Sequence, residues 1–279
     1  MEELRIILEG ERLEDKLLDF EINSTQALKQ QPTHSVLLPG RNSKISFSES
    51  QIKFPKSGSL NQESQRAKAL HFFANHELLA LEIFANFYLK FLAPLPGKRK
   101  LKMHVLQTIK EEQRHLSLYI ERMRQMGIDF GDYPLNDFFW RQFEKVKTID
   151  TFFAAMSLTF ESANLDFAFH YSNIFRSMGD TKSSEILDIV LKDELRHVKV
   201  GVNYLDEIRG GQTLWDFYSS KLPQNISPSR GKGQIYKKNL RSLAGLDDHF
   251  IEMQSKYKSD FQVLNRKTKK TNEETFHQL

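Results

Sequence analysis

From about Gln62 to Leu92 apolar side chains recur at three- and four-residue spacing: Leu70, Phe73, Leu78, Leu81, Phe84, Phe87, Tyr88 and Phe91. That is the period of one face of an α-helix, and Pro94 with Pro96-Gly97 ends it. A second helical pattern runs from about Lys98 to Met126 and stops at Gly127, with Gly131-Asp132-Tyr133-Pro134 marking a further break. The residues through Trp140 and Phe143 then form a long connection with room for one short helix. A third pattern covers about Asp150 to Met178, with Asp150 as the N-cap and Gly179-Asp180 as the turn. The fourth covers about Thr181 to Arg209 and ends at Gly210-Gly211. No strict alternation of apolar and polar residues competes with these elements. The pattern predicts an all-α fold, a four-helix bundle of two antiparallel hairpins joined by one long crossover, over residues 66–211.

The flanks read differently. Residues 1–65 predict a wrapping segment with one short amphipathic helix, about Glu11 to Leu28, followed by turn formers from Gln31 through Pro39-Gly40 and Pro55 to Gly58. Residues 212–262 predict an extension packed on the bundle, with short helices at about Tyr236–Leu243 and Phe250–Tyr257. Residues 263–279, with Arg266, Lys267, Lys269 and Lys270, are expected to form a disordered basic tail.

Composition narrows the chemistry. With 279 residues the chain can bury a sizeable core. It has no cysteine, which excludes disulfides, thiolate metal sites and cysteine nucleophiles, so any metal is held by oxygen and imidazole. The net charge of +4 comes largely from the C-terminal region, where a solvated tail explains it without a nucleic-acid partner. The start, Met1-Glu-Glu-Leu-Arg, lacks the basic and apolar regions of a secretory signal. The most apolar window, His71 to Leu95, is interrupted by Glu77, Glu82 and Lys90, which argues against a bilayer span. A cytoplasmic protein without a membrane role is the expectation.

Two stretches then stand out: Lys110-Glu-Glu-Gln-Arg-His115 and Lys192-Asp-Glu-Leu-Arg-His197, in which Glu112 and His115 recur 82 residues later as Glu194 and His197 (194 − 112 = 82). Residues three apart on a helix project from one face, so each Glu/His pair can reach one ion. Glu111 and Asp193, one residue earlier, are better placed to accept a hydrogen bond from a ligand imidazole's other N–H. A second internal match is Glu77-Leu-Leu-Ala-Leu-Glu82 with Glu161-Ser-Ala-Asn-Leu-Asp166. Glu77 precedes Glu112 by 35 residues and Glu161 precedes Glu194 by 33.

The predicted ligand set is therefore Glu77, Glu112, His115, Glu161, Glu194 and His197. Four carboxylates and two imidazoles around two metals is the donor set of ferritin-like di-iron bundles. Glu82 and Asp166, about 140° further around their helices, are expected off the metal face, as supporting acceptors or as partners of Arg114 and Arg196. Asn164, one turn beyond Glu161, is expected to hydrogen-bond a ligand or substrate. His71, His76, His104 and His170 have no repeat partner and are read as non-ligands, and the many phenylalanines as core.

Phe73-Ala-Asn-His-Glu-Leu-Leu-Ala-Leu-Glu82, Phe160-Glu-Ser-Ala-Asn-Leu-Asp166, Asp193-Glu-Leu-Arg-His-Val198 and Leu222-Pro…Ser227-Pro…Lys232-Gly…Arg241…Ala244-Gly, with Pro39-Gly40-Arg41 near the start, resemble the ferritin-like domain-of-unknown-function family 455. The resemblance covers nearly the whole chain. It implies a ferritin-like fold and a dinuclear iron or manganese site, and it extends more distantly to the di-iron tRNA hydroxylases.

An oxygen- and nitrogen-ligated pair suits iron, manganese or a mixture, with zinc less suited to the expected redox role. The leading expectation is an oxidoreductase that activates dioxygen to oxidise or hydroxylate an organic substrate, with an external electron donor. Alternatives are a ferroxidase or peroxide scavenger, and an RNA-associated protein with a structural metal, the latter suggested by Lys232, Lys237, Lys238 and Arg241 interleaved with Tyr236 and Leu240. A homodimer is compatible with any of these. The repeat breaks where Tyr119, one turn beyond His115, is matched by Gly201. That asymmetry predicts either space beside the site, lined by Tyr119 as a catalytic residue, or close helix packing at Gly201.

Overall fold

A computed structural model describes residues 2–22, 25, 29–50 and 52–258. In chain order the principal helices are Glu2–Glu9 (α1), Leu13–Lys16 (α2), Glu63–Phe87 (α3), Arg99–Gln125 (α4), Phe138–Phe143 (α5), Ile149–Ala155 (α6), Ser162–Ser177 (α7), Thr181–Ile208 (α8), Leu214–Lys221 (α9), Lys238–Leu243 (α10) and Asp248–Lys256 (α11). Two π-helical turns, Tyr88–Leu92 and Met156–Glu161, follow α3 and α6 directly. Among the described residues there is no strand, and a single isolated bridge joins Phe47 to Leu135. The fold is all-α, and no described helix is long and apolar enough to cross a membrane. The chain divides into two compact units, Met1–Phe152 with Ala168–Asp193, and Phe153–Phe167 with Glu194–Leu279.

In the first unit α3 and α4 pack antiparallel: Glu77 meets His115, and one turn earlier Phe73 meets Tyr119. Helix α3 is buried around most of its circumference, as its near-continuous apolar sequence requires. Its buried polar groups consequently need internal partners. His71 Nε2 accepts from the Gly131 N–H at 3.1 Å, and Asn75 Nδ2 donates to the Asn136 carbonyl at 3.2 Å. Glu82 is bonded by Arg41, at 2.5 Å and 3.2 Å, and lies 3.0 Å from Lys16. Of the two roles expected for Glu82, supporting acceptor or partner of the clusters' arginines, the second is corrected. Its cations come instead from the N-terminal segment.

That segment departs from its predicted pattern. Helix α1 was not anticipated, and between residues 11 and 22 the helix expected over 11–28 covers only Leu13–Lys16. Tertiary bonds explain the early stop, because Gln113 Nε2 donates to the carbonyls of Lys16 and Leu18, occupying acceptors that a continuing helix would use. Residues 23, 24 and 26–28 lie outside the described residues, as does the expected basic tail at 263–279.

The turn between α7 and α8 uses Gly179, whose φ of +78° is a left-handed conformation that only glycine adopts freely. Asp180 caps α8 by accepting from Ser183 N, and Arg66 and Arg122 bind its carboxylate at 2.9 and 3.0 Å. Beside this cap, Ser172 hydroxyl meets Ser184 hydroxyl at 3.1 Å. At the start of α6, Asp150 is not the N-cap as expected but sits in the first helical turn.

In the second unit the antiparallel register is set by Asn164 with Glu194 and Phe153 with Tyr204. Helix α9, unanticipated, carries Trp215 and Tyr218 into an aromatic cluster with Phe250 of α11. The C-terminal segment also secures the Met156–Glu161 π turn. A π turn breaks the regular backbone ladder and leaves groups to be satisfied from outside. Gln254 Nε2 donates to the Leu158 carbonyl and Arg241 to the Ser162 carbonyl. Thr159 hydroxyl bonds both the Ala154 carbonyl and Tyr218 hydroxyl.

Candidate metal centre

Each unit gathers one half of the repeated pattern. In the first, Glu77 of α3 and Glu112 and His115 of α4 offer ligand atoms within 4.8 Å of one another. His115 Nδ1 lies 3.2 Å from Glu77 Oε2 and 3.8 Å from Glu112 Oε2. On the other side of the ring, Nε2 lies 2.9 Å from Asp193 Oδ2. A carboxylate only accepts, so Nε2–H donates to Asp193, and Nδ1 is the nitrogen turned toward the two glutamates. Arg114 in turn pairs with Asp193. Asp193 accepts from His115, as its spacing predicts, and Arg114 is the partner of Asp193 rather than of Glu82. Glu111 accepts from Gln107 at 3.0 Å.

In the second unit, His197 Nδ1 lies 3.9 Å from Glu161 Oε1 and 3.6 Å from Glu194 Oε2. These separations exceed a hydrogen bond. Ligand atoms that share one first-row ion, each ~2.0–2.2 Å from it, can stand up to ~4.4 Å apart, and in each cluster the histidine–glutamate separations are within that reach. Asn164 Nδ2 donates to Glu194 Oε1 at 2.7 Å, as its position one turn beyond Glu161 predicts. Glu194 Oε2 accepts no hydrogen bond among the described residues.

Burial makes these arrangements costly without a cation. None of the six residues is more than 4% exposed, and an isolated buried carboxylate is unfavourable by several kcal/mol, on the order of the desolvation penalty per ion. Two carboxylates converging on one imidazole nitrogen are stabilised by a positive charge between them, a proton or a metal. The donor set is carboxylate oxygen and imidazole nitrogen, and the protein holds a buried Glu/His cluster that could bind metal.

The remaining predicted residues are placed as follows. Tyr119 is buried, with its ring 5.8 Å from Phe73. Gly201 does not leave space: a Cβ there would lie 2.3 Å from Ser157 Cβ and 3.0 Å from Leu158 Cδ1. The glycine serves close approach of α8 to the π turn, and the open-space reading is overturned. His71 bonds Gly131, and His76 packs on Phe139 at 4.7 Å. Burial holds the pKa of each near 4, so both rings are neutral.

Sequence reasoning missed the residues that hold the acids five positions beyond Glu77 and Glu161. Asp166 receives Arg241 through two bonds, plus the Gly233 and Lys237 N–H groups. Lys16 and Arg41 do the same for Glu82. Arg41 and Arg241 stand in recognisable Pro-Gly and Ala-Gly contexts, which marked the segments without revealing their partners. Also missed was the π turn that ends at Glu161. π turns occur disproportionately at functional sites, and here one sets the direction from which a candidate ligand leaves its helix.

A family model described as "Protein of unknown function (DUF455)" matches residues 9–252. An "Uncharacterized protein" of Haemophilus influenzae is 28% identical over 153 residues, which is 53% of this chain and 51% of the relative. The match thus spans about half the length of that curated relative. No solved structure matches the chain.

Proposed function

The chain belongs to the DUF455 family, and on that premise we propose that it is a ferritin-like dinuclear metal oxidoreductase that uses dioxygen to oxidise or hydroxylate an organic substrate. The observation that carries the reading is the duplicated half-site: the same Glu, Glu-x-x-His set, buried in each unit, with a fixed imidazole in one and an amide-bonded glutamate in the other. Asp193, which accepts from His115, and Glu194, which faces His197, are consecutive residues of α8. Four carboxylates and two imidazoles are the complement such a pair of ions takes.

Iron is the first choice, manganese or a mixed pair the second, since carboxylate and imidazole without thiolate suit both. When bound, the pair supplies the electrons and open coordination positions that dioxygen reduction needs. The protein's own contribution is orientation and exclusion of water. Asp193 orients the His115 ring through Nε2 and leaves Nδ1 facing the two glutamates, and Arg114 balances the charge of Asp193. Asn164 holds Glu194 through Oε1 and leaves Oε2 for the ion. The aromatic side chains around Tyr119, Phe73 and Tyr171 shield the first cluster, and we assign Tyr119 to the substrate side.

The test is anaerobic loading with Fe(II) followed by exposure to oxygen, with absorbance and oxygen consumption recorded. A single stoichiometric oxidation, accelerated when a substrate is supplied with reductant, supports the oxidase reading. Repeated oxidation of added Fe(II) to a ferric product points to a ferroxidase instead, and no oxygen uptake overturns both.

A further inference from the structure

In the first unit a cleft of about 220 Å³ opens beside the Tyr88–Leu92 π turn, away from the residues given a metal role. Its walls are aromatic and rigidly held. Phe87 and Phe152 stack with ring centroids 3.6 Å apart and planes 7° from parallel, and Phe143 packs against Phe152 at 5.6 Å. Trp140 is fixed by donating its indole N–H to the Leu37 carbonyl at 2.8 Å.

The polar groups of the cleft have one sign in excess. Lys90 and Lys147 both line it, and neither has a carboxylate within ion-pair distance among the described residues. Lys147 Nζ donates to the Glu144 carbonyl, and Lys90 Nζ stands 5.1 Å from the Phe91 ring. The one acid among the lining residues, Glu144, is exposed. Asn86 accepts from the Val36 N–H through Oδ1, which leaves its amide N–H groups as donors. Burial, and secondarily the charge of Lys147, lowers the Lys90 pKa. Two like charges that feel each other across an aromatic slot are relieved by an anion between them.

We propose that this cleft binds a small amphipathic carboxylate, its apolar body against Phe87, Trp140, Phe143 and Phe152 and its carboxylate between Lys90 and Lys147 with Asn86 as a further donor. The volume is below the ~300–1,000 Å³ of pockets that bury drug-sized ligands, which suits a short acyl chain or a single substituted ring. A neutral amphiphile would leave the ammonium pair unrelieved, and a cationic one would add to the repulsion. The site is independent of the metal reading and stands or falls on its own test.

The chain has two tryptophans, Trp140 and Trp215, so the Trp215→Phe protein reports the cleft through Trp140 alone. Octanoate, octanamide and octylamine, which are optically silent, are titrated into it, and calorimetry on the unaltered chain gives the same affinities should Trp215→Phe not fold. Octanoate should saturate the signal by about 1–5 mM and bind about ten-fold more tightly than the amide or the amine. The Lys90→Gln/Lys147→Gln double variant should lose about that ten-fold for octanoate and nothing for octanamide, the scale of two partly exposed ion pairs. Equal affinity for octanoate and octanamide, unchanged octanoate binding in the double variant, or no response to any probe would overturn the proposal.

Discussion

The Asp166 carboxylate and the Arg241 guanidinium meet through two parallel bonds, of 2.8 and 2.9 Å, and neither side chain is exposed. The same guanidinium bonds the Gly231 and Ser162 carbonyls and Gln254, so it ties the C-terminal segment to the helix that follows Glu161. Arg241→Ala leaves a buried carboxylate uncompensated and should cost about 3–5 kcal/mol of stability. Arg241→Lys should recover little, because an ammonium cannot supply the two-pronged geometry. The measurement is the urea midpoint at unchanged m-value. A loss below ~1 kcal/mol for Arg241→Ala would show that the pair contributes specificity and little stability.

Asp180 offers a pH test. Burial opposes its ionisation, but the Ser183 backbone and side chain, Arg122 and Arg66 outweigh that and hold its pKa below the usual value of 3.8. A carboxyl with a depressed folded pKa stabilises fully above its unfolded pKa and loses that contribution as pH falls through the folded value. Asp180→Asn should therefore cost about 1–3 kcal/mol at pH 7. The gap to the unaltered protein should narrow below about pH 4, as seen by thermal unfolding across pH. A gap that stays constant with pH would contradict the assignment.

Gly201→Ala tests the close packing at the π turn. In an open helix the change would stabilise by up to about 1 kcal/mol. Here the new methyl meets Ser157 Cβ at 2.3 Å, so a net loss of about 1–3 kcal/mol is expected. Gly201→Ala with Ser157→Gly should recover part of it, the coupling being read from a double-mutant cycle.

Much of this was legible from periodicity. α3 taken with the π turn that continues it to Leu92, α4 and α8 lie within a residue or two of their predicted bounds because their apolar faces are continuous and glycine or proline closes their ends. The pairing of each Glu-x-x-His with an upstream glutamate also followed from spacing, since a face shared on one helix implies a face opposite on its neighbour. What escaped was whatever depends on distant segments. Lys16 terminates its helix because Gln113 takes its carbonyl, and the Met156–Glu161 turn is π because Arg241, Gln254 and Tyr218 satisfy it. Neither cause is local. Gly201 illustrates the same limit, as a glycine in a helix signals either a vacancy or a close neighbour, and only the position of Ser157 decides.

The residues behind the proposed ligands should tune metal affinity without unfolding the protein. Asp193→Ala removes the acceptor that orients His115, and Asn164→Ala removes the donor to Glu194. Each should weaken Fe(II) or Mn(II) binding about 10–100-fold, the usual effect of losing an outer hydrogen-bond partner. Competition with a chromophoric chelator reads the change, and circular dichroism confirms the helices. Unchanged affinity in both would detach these residues from any metal.

The central claim, that the two half-sites hold a metal pair, is tested most directly by elemental analysis of the purified protein beside Glu112→Ala and Glu194→Ala. About two equivalents of iron plus manganese per chain are expected in the unaltered protein, with at least one equivalent lost from each variant while the helical circular dichroism signal persists. Iron plus manganese that is absent from the unaltered protein, or the same in all three, would contradict the account.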